Sequence, residues 1–279
     1  MPGMITAGTI SGSMGRADLL RGVLAAGIEL SNIVSVLDQV DVPNLTGSVS
    51  IYKSGGVDED LGELETSGIR GGSFTNIEFN LKKDRAKLAK TDEAGFRSRA
   101  GDPLGIQITA AGKDLADKLD KKTATALQTN PQTGAAAKKW STTANNILHD
   151  LTTAVQACRP YKSDFVIMAD DTFTAYCQNE TLLKLSTGNP TVLAGAMGRV
   201  PGLNLDIFTD TRITPGSAVV GASKYCGVLG KGPAKLGTTD DREHGATLYY
   251  ADVWRQVKAP IYKKDDGTNN AVYQITALV

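Results

Sequence analysis

The side chains able to do chemistry are few, and their spacing limits what they can do. Asp92 and Glu93 stand side by side in the charged stretch LKKDRAKLAKTDEAG, residues 81–95. Two carboxylates divide acid and base work only when both face one substrate. Neighbours on a strand point to opposite faces, and neighbours on a helix diverge by about 100°. The lysines and arginines around this pair also favour ionised carboxylates over a raised, catalytic pKa. The pair therefore reads as ion-pairing rather than as a dyad. Histidine occurs only as His149 and His244, neither in a nucleophile–base motif. His149-Asp150 lacks companion metal ligands. Cys158, Cys177 and Cys226 lie far apart in apolar contexts. They read as small buried hydrophobes of a reducing compartment.

Two further stretches imitate binding motifs. Gly230-Lys231-Gly232-Pro233 looks like a piece of a phosphate cradle, but the full G-x-x-x-x-G-K-S/T order is absent. The glycine-rich residues 195–202, GAMGRVPG, read as a turn-rich loop. Asp58, Glu59, Asp60, Glu63 and Glu65 cluster without the alternating order of a calcium loop. They read as a solvated or partner-facing loop. The expectation is no catalytic residue, no cofactor and no metal.

Bulk composition points the same way. The chain has 279 residues, enough for one large or two ordinary domains. Thirty basic residues balance thirty acidic ones, whereas a protein that grips nucleic acid usually carries a basic surplus. No apolar run approaches the ~20 residues of a membrane span. The N-terminus lacks the order of a signal peptide. The sequons at Asn44 and Asn179 are therefore read as chance, and a soluble protein made in a cytoplasm is expected.

The elements come in a distinctive order. A helix over about 16–29 belongs to a loosely patterned arm. Residues 47–53 and 74–81 alternate as half-buried strands, with Ile77, Phe79 and Leu81 sharing a face. A two-stranded ribbon is marginal in water, and no nearby helix offers to cover it, so a neighbouring subunit is expected to do so. A charged strand follows. Asp102-Pro103 opens a long helix with apolar or small residues at 104, 108, 111, 115, 119, 123 and 126/127. Asp114/Lys118 and Asp117/Lys121 stand in the favourable i,i+4 order on it. Residues 129–140 are a break. A second helix covers about 142–158. Residues 165–169 form a buried strand, and Asp170 or Asp171 caps a helix through Phe173, Tyr176, Cys177 and Leu182/Leu183. Strands follow around Leu203–Ile207, at 217–222, 224–229 and 246–258, and finally at 271–277.

In this order the chain resembles the major capsid proteins of tailed viruses with the Hong Kong 97-type fold. The resemblance rests on FTNIEFNLKKDRAKLAKTDEAG, on GDPLGIQITAAGKDLADKLDKKTATAL and on DFVIMADDTFTAYCQNETLL. It rests as well on GRVPGLNLDIFTDTRITPGSAVVGASKYCGVL and TTDDREHGATLYYADVWRQVKAPIY. It implies an α+β chain with an N-terminal arm over 1–46 and an extended hairpin loop over 47–81. A peripheral domain with a spine helix would span 82–128 and 238–264, and an axial α/β domain 129–237 and 265–279. It implies self-assembly into hexamers and pentamers of an icosahedral shell. That shell would enclose dsDNA without tight sequence-specific binding. Scaffolding, portal and decoration proteins are its implied partners, and the virion, assembled in a host cytoplasm, its location. The inter-subunit contacts would come from Val49, Ile51, Lys53, Glu63, Glu65, Arg70, Phe74, Ile77 and Phe79. Lys82, Lys83, Arg85, Asp92 and Glu93 would form inter-subunit ion pairs. Some members cross-link a hairpin lysine to a neighbour's asparagine. Lys53 matches the lysine, but the candidate segment 241–245 carries no asparagine, so cross-linking is not expected.

Two rivals remain. An encapsulin-like nanocompartment shares the fold but usually begins with a helix rather than the loose MPGMITAGTISGSMG. A small α/β enzyme with the hairpin as a lid would need a nucleophile–base pair that this sequence does not show.

Overall fold

The computed structural model describes residues 23, 31, 33–53, 73–91, 103–141, 147–179, 198–200, 202–241, 246–259 and 269–279. Its elements in chain order are β1 (Asp38–Asp41), β2 (Thr46–Lys53), β3 (Ser73–Asn80), β4 (Lys82–Thr91) and α1 (Pro103–Leu127). Then come β5 (Pro131–Ala135), α2 (Ile147–Ala157), β6 (Phe165–Met168), α3 (Asp170–Gln178), β7 (Arg199–Val200) and β8 (Leu205–Thr209). The last are β9 (Ala218–Gly221), β10 (Val228–Asp241), β11 (Ala246–Lys258) and β12 (Asn269–Thr276).

The strands make three sheets, ordered β1-β10-β11-β4, β5-β12-β9-β6-β8-β7 and β2-β3. The six-stranded sheet is covered on both sides. Along β6, Phe165 and Ile167 enter one core and Val166 and Met168 the other. Period-2 alternation with both faces buried is why FVIM is apolar throughout. Helices α2 and α3 cover one face through Leu151, Ala154, Ala175 and Tyr176. Buried Trp140 closes that core and donates its indole N–H to Asp150 at 3.0 Å.

Helix α1 joins the two large sheets. Its 25 residues span about 37 Å. Ile108, Ala111 and Leu115 pack on Ala86, Leu88 and Ala251 of the four-stranded sheet. Leu119, Ala124 and Leu127 enter the core of the six-stranded one beside Phe165, Ile167 and Val219. The stripe expected from spacing is buried from Ile108 to Leu127, and the side chain of position 104 lies outside the described residues.

Several expectations need correction. Asp117 does not pair with Lys121 but reaches Arg212 at 2.7 Å, and Asp114 and Lys118 form no ion pair. Arg212 also binds buried Asp210 at 2.8 Å and so pins the loop after β8 to α1. The break at 129–140 contains β5, which pairs parallel with β12 at the sheet edge. Pro131 and Gly134 hid it, because both residues are disfavoured in strands except at edges. The strand expected at 224–229 begins only at Val228. Lys224 sits at φ 67 in a turn whose Cys226 N–H bonds Ala222. The expected arm is not loose throughout: Ile33, Val34, Val36 and Leu37 are core residues, and β1 pairs with β10. Helix α3 has Ala169, not an aspartate side chain, at its cap. Strand β10 lies wholly in the four-stranded sheet and crosses the expected boundary at 237/238. The helix expected over 16–29 is described only at Val23, which is helical and buried against α1 and β4.

Candidate assembly surface

Strands β2 and β3 pair from Thr46↔Asn80 to Lys53↔Ser73 and with no other strand of the described residues. Eight residues carry the ribbon about 26 Å. Its root is held by the chain itself. Ile77, Phe79 and Leu81 are buried with Val42 and Val228, and Trp254 and Val40 pack against them. Asn80 N–H donates to Gln256 Oε1 at 2.8 Å, and Leu81 N–H to the Leu45 carbonyl at 2.8 Å. Ile77 and Phe79 are therefore covered within the chain, which corrects the expectation that a neighbour covers them. The sequence alone could not show this, because the covering strand lies some 150 residues further on, at 228–232.

The Gly230-Lys231-Gly232-Pro233 stretch belongs to this seat. A Cβ on Gly230 would stand 2.6 Å from the Phe79 ring, and one on Gly232 would stand 2.6 Å from Leu81. The glycines let the ribbon root settle onto β10, and a bulge between Lys231 and Ala234 follows. Close backbone approach, not phosphate binding, is what these glycines serve here.

Beyond Ile77 the ladder runs on through Ser50↔Asn76, Ile51↔Thr75 and Tyr52↔Phe74. Val49 stands opposite Ile77. Both ribbon edges carry backbone donors and acceptors that no further strand of the described residues takes up, which is a template for pairing with another chain. Glu63, Glu65, Arg70, Asp92 and Glu93 lie outside the described residues, as do His244 and segment 242–245.

The charges of β4 are largely spent inside the chain. Arg85 grips Asp252 with two bonds of 2.6 and 2.8 Å and lies 4.8 Å over the Tyr250 ring. Lys83 stands 3.9 Å from the same carboxylate. Both residues were expected to reach a neighbour, and both are paired at home, because Asp252 sits directly across from Arg85 in the β4–β11 register. Lys82 is exposed, with no ion pair among the described residues.

On the opposite face of the sheet, Asp84 accepts from Lys122 at 2.7 and 2.9 Å and from Arg255 at 2.9 Å. Arg255 also donates to the Leu115 carbonyl, tying β11 to α1. Burial works against ionisation of Asp84, but these cations outweigh it and hold its carboxyl below the usual range. Asp252 is likewise lowered, chiefly by the Arg85 hydrogen bonds. Neither network was visible in the sequence, since its members lie more than 35 residues apart.

The described serine–carboxylate pairs, Ser31–Asp120 and Ser223–Asp164, have no histidine bonded to them among the described residues. Asp150 serves Trp140, and His149 is exposed on α2. Among the described residues no group of three His, Cys, Asp or Glu could hold a metal. Cys158 and Cys226 are buried, and burial pushes the Cys226 thiol far up. No described helix is long and apolar enough to cross a membrane.

Residues 80–275, well over half of the chain, match the model of a family described as phage capsid protein. The chain belongs to that family. It is a major capsid protein, a subunit of a virion shell, with the Hong Kong 97-type fold. Solved structures agree on the fold. The Mycobacterium phage Che8 structure matches with TM-score 0.59 and 15% identity, over 99% of this chain and 96% of its own. The capsid of cyanophage P-SCSP1u gives 0.64 at 10% identity, over 88% of each chain. A virus-like particle from Pyrococcus furiosus gives 0.60 at 13%, over 93% of this chain and 98% of its own. No curated protein matches the sequence. The capsid reading outranks the nanocompartment, and the family is one of structural proteins.

Proposed function

We propose that this capsid subunit closes hexamers and pentamers by laying its β2–β3 ribbon over the next subunit. The observation behind the reading is a ribbon about 26 Å long that is anchored at its root and, among the described residues, has no further strand on either edge. The distal segment with Val49, Ile51, Lys53 and Phe74, and the loop with Glu63, Glu65 and Arg70, would meet the neighbour. The four-stranded sheet with α1 would form the peripheral part and the six-stranded sheet the axial part around the capsomer centre. These rings would tile an icosahedral head that encloses the dsDNA of a tailed phage or archaeal virus. The head would be assembled in the host cytoplasm with scaffolding and portal proteins, and a decoration protein could join it later.

Negative-stain microscopy with size-exclusion light scattering on the full chain tests this. Closed shells or rings of five and six are expected. Removal of residues 54–72 should leave the chain folded and abolish the rings. A stable monomer of the intact chain, unchanged by concentration or scaffold, overturns the reading.

A further inference from the structure

The chain is neutral overall, yet its cations are not evenly spread. Between the C-terminal half of α1, the end of β11 and the start of β4 lies an open groove of about 520 Å³. Lys82, Lys118, Lys121 and Lys258 line it together with Lys122 and Arg255. No carboxylate lines it among the described residues. Two of these cations, Lys122 and Arg255, are already taken by Asp84. The remaining four lysines have no ion-pair partner among the described residues, because Asp117 is diverted to Arg212 and Asp114 stays apart from Lys118. Four like charges around one groove repel each other, and an anion seated there relieves that repulsion.

We propose that this groove holds the phosphodiester backbone of nucleic acid. The proposal deepens the shell reading by naming the face that meets the enclosed genome. Two features favour phosphate over the carboxylates of a neighbour's acidic loop. The free cations are all lysines, flexible point charges that suit sequence-independent backbone contact. Arg255 is the one guanidinium in the groove, the group whose planar fork suits carboxylates, and it is already committed to Asp84 and to the Leu115 carbonyl. Thr125 and Thr129 hydroxyls at the groove donate to helix carbonyls, and the Gln256 Oε1 is taken by the Asn80 N–H. Recognition would rest chiefly on charge.

The test uses the full chain, held below the concentration at which it assembles, and a labelled 20-base-pair duplex followed by fluorescence anisotropy. Four phosphate contacts predict that affinity falls about a hundredfold between 50 and 200 mM salt. The K118Q/K121Q/K258Q variant should lose at least tenfold in affinity at low salt. Its log–log salt slope should drop from about 3.5 to about 1. The K87Q/K235Q variant, altered on exposed residues away from the groove, should keep most of the affinity. Shell formation by the triple variant, scored by microscopy, separates the two readings. Shells with unaltered duplex binding overturn the groove and leave the shell standing. Failure of the unaltered chain to bind duplex also overturns it, as does groove-dependent binding of a synthetic 54–72 peptide without duplex binding.

Discussion

Strand β6 and the β2–β3 ribbon are both short stretches of extended chain, yet they have opposite fates. Strand β6 lies between β8 and β9, and every side chain from Phe165 to Met168 is buried. The ribbon has a core at its root and, among the described residues, no strand on either edge. The chain completes its folding within the six-stranded sheet and leaves the ribbon unfinished. An element finished at home contributes to stability, and under the proposed function one left open contributes to assembly.

The sharpest break of that contrast is Ile167→Ala. It empties a fully buried site between two layers and should cost about 3–4 kcal/mol in chemical denaturation. Asp84→Asn comes next. It strands Arg255 and Lys122 at the α1–sheet contact and should cost about 3 kcal/mol. The same group sets an acid limit. The carboxyls of Asp84 and Asp252 are held below their ordinary value, so their contribution is complete above pH of about 4. It is lost as pH falls through their lowered values, and the denaturation midpoint followed from pH 6 to pH 2 should show the fall. Asp84→Asn should flatten that profile.

Gly230→Val tests the ribbon's seat. Its side chain meets the Phe79 ring and should cost about 2 kcal/mol by overpacking, while reducing shell yield more than it lowers global stability. Equal losses in both would place the ribbon root in the folding core and erase the contrast. Arg85→Ala should have the smallest effect. Its guanidinium is solvated, so the change in stability should sit within the scatter of denaturation curves and shrink further with salt.

Strong periodicity is what made elements legible. The α1 stripe and the 246–258 strand were readable because their apolar positions repeat at one period over many residues. Strand β5 and most of β10 were not, since Pro131, Gly134, Gly230, Gly232 and Pro233 speak against strand locally. Tertiary fit overrode those preferences: Phe79 and Leu81 need the space that the glycines leave. The hairpin was legible as a hairpin, but its root's cover was not, because hydrophobic alternation names a buried face without naming what buries it.

By itself the sequence determined the order of elements, the long helix that joins two sheets, the absence of a recognisable catalytic motif and the family resemblance. All of these depend on local period and on the linear order of residue types. Only the tertiary structure decided which charges meet. Arg85 closes on Asp252, Asp84 collects Lys122 and Arg255, and four lysines from β4, α1 and β11 are left facing one groove. The reason is that electrostatics acts through distance in space. A net charge of zero fixes the sum of the charges and not where the fold brings them together.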